Sequence, residues 1–386
     1  MLVSSCFDRG DRWIAPEKLP PPVCVVGDQR CGLLGVETCV VKDGFAAFTV
    51  TENCQSAGLV CAPQLLSCKR CVPGGNVCDG MQTAVCNPSG DGVTVTGSCD
   101  PEQKEACRKG ACVNLCDEAQ TLRSNVGCEY WAVDLDNANV GLSLNAASQQ
   151  FAVVVSNPQP DVSAEVVIAR DDSAVGQASD IVNVASATIP PLSLRVFKLG
   201  PREVDGSPPG EFDTGSHTAL TRAAYRVSSD FPVVAYQFNP LENVNVFSND
   251  ASLLKPVEAL GASTTALAPA YVVLGWPQTI ATTEDPKTNF SSTNPVDLRA
   301  FLTIVATRPD TRVRVQTQAA VIGGGPVKTT QVGGSIEATL QPFEVLNLET
   351  DDFNSDFSGS LVEADAPIVV FSGGEASDAP FFSDLA

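Results

Sequence analysis

From Tyr130 onward the apolar positions fall in runs of four to eight β-branched and aromatic residues, broken by Pro, Gly, Asn and Asp, with little helical spacing. That pattern predicts short antiparallel strands. The runs also repeat in order. "YWAVDL" at Tyr130 is answered by "YVVLGW" at Tyr271, and "FAVVVSNPQPDVSAEVVI" at Phe151 by "FLTIVATRPDTRVRVQT" at Phe301. "IPPLSLRVFKL" at Ile189 returns as "LQPFEVLNL" at Leu340, and "DFPVVAYQ" at Asp230 as "DAPIVVFS" at Asp365. The offsets are 141, 150, 151 and 135, and much of the last difference lies in the Gly/Pro-rich loop "GPREVDGSPPGEFDTGSH" of the first copy. Strands this short with connections of roughly 8–12 residues suit sandwiches. The chain is therefore expected to be mainly β, with a duplicated antiparallel β-sandwich at 129–240 and 270–386 joined by a bridge at 241–269. Proline at the first position of a strand lacks only a donor that can face outward and keeps the preceding residue extended. The Phe231-Pro232 and Ala366-Pro367 steps read as strand entries. In the bridge, "SNDASLLKP" offers Asn249 and Asp250 for a cap or turn and Leu253 and Leu254 for a buried anchor, a plug between domains.

The residues before Tyr130 carry a different signal. All 15 cysteines of the 386-residue chain lie between Cys6 and Cys128. A cysteine content of about 12 % over that stretch exceeds the disulfide-scaffold threshold and implies an oxidising compartment. Two six-cysteine modules can be aligned, Cys31, Cys39, Cys54, Cys61, Cys68, Cys71 (31–71) and Cys78, Cys86, Cys99, Cys107, Cys112, Cys116 (78–116), each with an Asp-Gly turn after its second cysteine. Units of this size bury too little to hold themselves, so disulfides are expected to stabilise them. Spacing leaves the pairing open. The rival reading, zinc at Cys68-x2-Cys71, has a single CxxC among wider spacings, whereas zinc motifs use pairs of them. Cys24 and Cys128 flank the modules of this 24–128 region and are read as a bridge closing the array. Cys6 follows Val3-Ser4-Ser5, a run similar to the lipobox of bacterial lipoproteins. Acylation of Cys6 would restore even parity; with only five residues ahead of it, a plain disulfide or free thiol is the alternative. Residues 1–23, with "DRWIAPEKLPPPV", read as a Pro-rich tether.

Composition narrows the function. A 44 % hydrophobic and 18 % charged content suits a globular protein. The net charge of −21 belongs to the second part: 11 Lys+Arg face 14 Asp+Glu up to Cys128, and 13 face 31 beyond it. That surface repels phosphate backbones, so nucleic acid is not an expected partner. No apolar run reaches the roughly 18 residues of a membrane-spanning helix, so any membrane attachment would be through lipid.

Candidate chemistry is sparse. His217 is the sole histidine. It stands in "DTGSHTAL" and is expected as an exposed loop residue; a Ser-His-Asp hydrolase would need it, yet no Gly-x-Ser-x-Gly elbow exists. One histidine excludes a His-rich metal centre. No phosphate loop or dinucleotide fingerprint occurs, so no cofactor is expected. Asp134 and Asp136, followed by Asn137 and Asn139, offer oxygen donors for a weak Ca²⁺ site but lack the spacing of a calcium loop. Asp171-Asp172 and Asp351-Asp352 read as solvated faces.

The elements "CEYWAVDLDNA", "FAVVVSNP", "IPPLSLRVFKL", "SSDFPVVAYQFNP", "FSNDASLLKP" and "VEADAPIVVFSGGEA" together resemble the IgGFc-binding protein N-terminal domain family, over about Cys128 to Pro380. The resemblance implies an extracellular, β-rich, non-enzymatic binding or adhesion module, and it carries no map of an Fc site. The von Willebrand D-type modules found beside this domain in animals are absent, and the family's cysteine-containing closing segment does not follow, so the second sandwich is expected to be C-terminally incomplete. The double cysteine module is similar to repeats of predicted Gram-negative surface lipoproteins. The combined expectation is a secreted or outer-membrane-anchored protein binding a protein or glycan through the loops 200–218 and 248–256. The alternatives are a secreted hydrolase using His217 or loop carboxylates, and a passive surface spacer.

Overall fold

The computed structural model describes residues 24–42, 44–141, 144–207, 217–246, 249–260, 271–277, 298–352, 355–375 and 377. Cys6 and the tether, the loop 208–216 and Ser248 thus lie outside the described residues. No described helix is long and apolar enough to cross a membrane. The chain forms two compact units, Met1–Asp100 with Glu105–Val113, and Pro101–Lys104 with Asn114–Ala386.

The first unit alternates small sheets and hairpins. Strands Gln29–Cys31, Gly35–Lys42 and Phe45–Asn53 form one antiparallel sheet, followed by a hairpin of Val60–Ala62 and Ser67–Lys69. Strands Asn76–Asp79, Gln82–Cys86 and Val93–Ser98 then form a second sheet, followed by a hairpin of Glu105–Arg108 and Ala111–Asn114. The bridges follow the same rhythm. Cys24–Cys39, Cys31–Cys61 and Cys54–Cys68 close separations of 15, 30 and 14 residues. Cys71–Cys86, Cys78–Cys107 and Cys99–Cys112 close 15, 29 and 13. This corrects the frame drawn from spacing, since each bonded set starts one cysteine earlier, at Cys24 and Cys71. It also corrects the pairing of Cys24 with Cys128. Cys24 bonds inside the first set, and Cys128 bonds Cys116 in the second unit. Cys68 and Cys71 are both in disulfides, which removes them as zinc thiolates. Buried cystines such as those of Cys39, Cys54, Cys86 and Cys107 take the place of an aliphatic core.

The second unit opens with an α-helix, Leu115–Leu122. Asn114 caps it, its Oδ1 accepting from Cys116 N and Asp117 N at 3.0 and 3.1 Å, and Asp117 and Glu118 sit in the first turn, where the helix dipole favours anions. The Cys116–Cys128 disulfide ties this helix to strand β1, Gly127–Ala132.

The strands after it confirm a mainly β, duplicated arrangement. The first copy continues with β2 (Ala152–Asn157), β3 (Ala164–Asp171), β4 (Ile181–Ile189) and β5 (Ser193–Lys198). Next come β6 (Ala219–Thr221), the long β7 (Tyr225–Asn239) and β8 (Asp250–Leu253). The second copy has β9 (Tyr271–Val272), β10 (Ala300–Ala306), β11 (Thr311–Gln316) and β12 (Ser335–Leu340). It ends with β13 (Val345–Glu349), β14 (Leu361–Ala364) and β15 (Ile368–Gly374). In the first copy β4-β3-β7-β1 forms one antiparallel sheet and β5-β2-β7-β8 the other, with β7 serving both. In the second copy the sheets are β12-β11-β14-β9 and β6-β13-β10-β15. Apart from the edge strands β8 and β6 the orders coincide, with β14 and β15 standing for the two ends of β7.

The repeated Asp-x-Pro phrase marks the corner where the chain passes from one sheet to the other. Asp230 Oδ1 accepts from Glu165 N at 2.7 Å, and Asp365 Oδ1 accepts from Arg312 N at 2.8 Å, each anchoring the start of the neighbouring strand. The proline carbonyls are likewise held, Pro232 O by Gln159 Nε2 and Pro367 O by Thr307 Oγ1. Pro367 precedes β15 as a strand entry, but Pro232 lies within β7, so in the first copy the strand turns through the corner without ending. A residue lacking an N–H fits a place where the ladder changes sheets. Leu192 and Phe343, at matching places before β5 and β13, both adopt left-handed backbone, with φ of 53° and 69°.

The copies are not separate domains. β6 belongs to the first copy by sequence, yet it pairs with β13 at the edge of the second copy's sheet. A shared core joins Trp131, Val133, Ala169, Ala223 and Val257 to Val305, Phe343, Val345 and Val369. Within it Trp131 meets Phe343 edge-on at 4.8 Å. This explains why "AFLTIVA" of β10 is buried throughout: Leu302, Ile304 and Ala306 face the second copy's own core, and Val305 faces the first copy. Arg222 crosses the same junction, Nη1 3.2 Å from Asp171 and Nη2 3.3 Å from Glu344. Asp171 is fully buried, so its reading as part of a solvated pair is corrected. Burial pushes its carboxyl up, but hydrogen bonds from Ser173, Asp180 and Ser179 outweigh this and hold it at about 2.

The bridge is also part of the fold. β8 is an edge strand, Val257 enters the shared core, and Glu258 accepts from Cys128 N at 2.9 Å. Of the two leucines expected as an anchor, Leu254 is buried, whereas Leu253 is 42 % exposed because it points from the opposite face of the strand.

Candidate functional site

The charged side chains expected to be separate meet where the two copies join. Asp136 lies in the segment after β1, His217 just before β6, Glu349 at the end of β13, and Glu375 directly after β15. All four are buried, and one ligand-capable atom from each lies within 4.8 Å of the others. The strand order dictates this convergence. β10 is the central strand between β13 and β15, so both neighbours deliver their last carboxylate to the same end of one sheet. β6 then pairs with β13 and carries His217 to that end.

His217 Nδ1 lies within hydrogen-bond distance of Asp136 Oδ2, at 2.8 Å, and 3.7 Å from Glu349 Oε1. The His217 backbone N–H donates to Glu349 Oε2 at 2.8 Å, and Asn347 Nδ2 donates to His217 O at 3.0 Å. Glu349 N in turn donates to Thr218 Oγ1 at 3.0 Å, and Thr303 Oγ1 donates to Asn347 Oδ1 at 2.6 Å. Glu375 Oε1 accepts from Arg299 N at 2.8 Å. These bonds orient the loop side chains from the sheet backbone. Among the described residues no N–H or hydroxyl group donates to the buried Asp136 Oδ1 or Glu349 Oε1, and the two carboxyls bond each other.

The electrostatics follow from crowding. Burial, and then the charges of Glu375, Glu203 and Asp205, push the Asp136 carboxyl well above the usual carboxylate range. Burial and the charges of Asp136 and Glu375 do the same to Glu349, with His217 opposing. Asp134, two residues from Asp136, is directed elsewhere: its Oδ2 accepts from Arg202 N at 2.7 Å, and burial pushes it up to about 7. A cavity of about 170 Å³ reaches Asp136, lined also by Leu135, Gln237, Asn239, Phe301 and Ser372.

The expectation that His217 is an exposed loop residue is thus corrected; it is 3 % exposed and surrounded by carboxylates. Asp134 and Asp136, expected as a pair, point to different partners. Asp351 and Asp352 are exposed as expected. Glu349 and Glu375 were not singled out from sequence. Each directly follows or closes an apolar run, "VLNLE" and "IVVFSGGE", and that position was the available signal.

A second feature is the outer face of β5-β2-β7-β8. Val154 sits opposite Val196 on one side and Tyr236 on the other, and Tyr236 sits opposite Leu253. Leu194 lies next to this row, 62 % exposed, while Tyr236 is 36 % exposed. An apolar stripe therefore crosses four strands in the open.

The family described as IgGFc binding protein matches residues 250–384, from β8 through the end of the second copy, including Glu349 and Glu375. Neither a curated protein nor a solved structure matches the chain. The matched region gives the chain a family resemblance to a binding protein over its second sandwich.

Proposed function

We propose that this chain is an extracellular or cell-surface binding protein, in which a disulfide-knit first unit accompanies a tandem sandwich that engages a protein ligand. The observation that carries the reading is the match of the second copy to the IgGFc binding protein family. Seven disulfides suit an oxidising compartment, and the first unit's dependence on them would be a liability in a reducing one. Lipid anchoring at Cys6 and a Gram-negative origin belong to this reading as its finer parts, and a glycan is the alternative to a protein ligand.

The outer face of β5-β2-β7-β8 is where we place the ligand. In the second copy the corresponding sheet, β6-β13-β10-β15, is covered on its outer side by the first copy. The same sheet in the first copy presents Leu194, Val196, Tyr236 and Leu253 uncovered. An apolar row with an aromatic residue at its centre suits a protein surface, because such anchors carry most of the energy of protein interfaces. The test immobilises the full chain and measures saturable binding of purified Fc fragments, other extracellular proteins and an array of glycans. The expected outcome is saturable binding of a protein, weakened at least about tenfold in Tyr236→Glu and Leu253→Glu, as expected for loss of an interface anchor. Binding confined to glycans, or protein binding untouched by both changes, would remove this placement.

A further inference from the structure

We propose that Asp136, His217, Glu349 and Glu375 form a divalent-cation site of the Mn²⁺ or Zn²⁺ class that clasps the two copies together. This goes beyond the binding role and stands independently of it. The ligands come from both copies: Asp136 follows β1, His217 leads into the crossing strand β6, and Glu349 and Glu375 close strands of the second sheet. Their ligand atoms lie within 4.8 Å of one another. Donors at roughly 2.0–2.2 Å from one ion of this class are separated by at most about 4.4 Å, so modest side-chain rotations bring the four onto one ion.

Two observations go beyond the clustering of acids. Among the described residues Asp136 Oδ1 and Glu349 Oε1 are buried with no partner beyond each other's carboxyl, and the contacts of their other oxygens with His217 Nδ1 and His217 N fix the orientation of both groups, so that a proton or a cation must lie between them. Buried polar atoms are nearly always satisfied, and an unmodified exception calls for an ion or water. Second, a cavity of about 170 Å³ is lined by Asp136 beside the cluster.

The donor set selects the ion class. Carboxylates alone would suit Ca²⁺ or Mg²⁺, but an imidazole nitrogen among three carboxylates favours a borderline transition-metal dication. Three carboxylates and a neutral imidazole leave a charge of −1 around a dication, far less costly to bury than the bare cluster. The bonds from Arg299 N to Glu375, from Asn347 Nδ2 to His217 O and from Glu349 N to Thr218 Oγ1 are outer bonds of the kind that hold ligands in place in metal sites.

The experiment strips the full-length oxidised protein with chelator and then titrates MnCl₂, ZnCl₂ and CaCl₂ separately, following heat and metal stoichiometry, with thermal unfolding in each. The account expects about one equivalent of Mn²⁺ or Zn²⁺ bound and unfolding raised by about 5 °C at saturation, on the usual linkage of ligand binding to stability. Ca²⁺ should bind at least tenfold more weakly. Glu349→Gln, which keeps the shape of the side chain, should lower affinity at least about 30-fold, and His217→Ala at least as much; a second-sphere change alone costs 10–100-fold. Absence of a stoichiometric Mn²⁺ or Zn²⁺ ion in the wild type overturns the proposal, a result that does not depend on any variant folding. Preference for Ca²⁺ overturns the ion class, and unchanged affinity in a folded Glu349→Gln overturns the ligand assignment.

Discussion

The two sandwiches share one strand order and differ in what their inner sheet meets. In the second copy β10 is apolar and buried along its whole length, because one face packs on its own core and the other on the first copy. In the first copy β5 leaves Leu194 and Val196 exposed, because the same sheet has nothing described against its outer face. The extra edge strands differ too: β8 lies beside β7 in the first copy, and β6 lies beside β13 in the second. Duplication therefore supplied the frame, and the asymmetry comes from one copy sitting on the other. The functional candidates both follow from it. The clustered carboxylates arise at the occupied junction, and the apolar row lies on the open face.

The largest effects are expected where the junction is cut. Trp131→Ala and Phe343→Ala should each cost about 3–5 kcal/mol, as large-to-small changes in a packed core do. Because their rings meet at 4.8 Å, the double variant should cost less than the sum, which chemical denaturation of the four proteins would show. Equal, additive losses would mean that the two copies stand on separate cores.

Arg222→Ala should cost about 3 kcal/mol, since it leaves Asp171 and Glu344 buried without their cation. The effect on Asp171 has a pH signature. Its folded pKa lies below the ordinary aspartate value, so the folded state binds fewer protons there than the unfolded one. The stability it contributes is complete above about pH 4 and is lost as pH falls towards 2. Asp171→Asn should therefore be less stable than wild type at pH 7 and converge with it near pH 2 in urea titrations run across that range.

The smallest expected effects compare the two corner aspartates. Asp365 is held below the ordinary range, first by the side-chain bond from Arg312, while Asp230 is pushed up by burial. At pH 7 Asp365→Asn should cost up to about 1 kcal/mol, the range of an exposed ion pair, and that cost should vanish in acid. Asp230→Asn should be neutral or slightly stabilising at pH 7, because its ionised form is less well accommodated folded than unfolded, and its difference from wild type should shrink as pH falls below the ordinary aspartate value. Identical responses would mean that the corners are chemically equivalent as well as topologically so.

The duplication was legible because strands announce themselves locally. "FAVVVSNP" and "FLTIVATRP" carry their own period and boundaries, and order along the chain survives insertions. The pairing of cysteines was not legible, since spacing fits the frame starting at Cys31 as well as the one starting at Cys24, and only the interlacing of Cys31–Cys61 with Cys24–Cys39 and Cys54–Cys68 decides it. The cluster at His217 was hidden for a related reason. Asp136 is 81 residues away from His217 in sequence and Glu349 is 132 away, so nothing local brings them together. Only the crossing of β6 into the second copy's sheet does so, and a three-residue strand, "ALT", leaves almost no periodic signal. Asp171 misled in the other direction, because a pair of adjacent aspartates looks solvated unless its buried arginine partner is known.

The central claim is that the two copies form one cooperative body through the segment carrying His217, β6 and Arg222. Native-state hydrogen exchange of the full-length oxidised protein, read by mass spectrometry on β2 and β7 and on β10 and β13, tests it most directly. The account predicts that both pairs open with the same free energy and that Arg222→Ala lowers both equally. Separate opening free energies, with Arg222→Ala lowering only one pair, would contradict it.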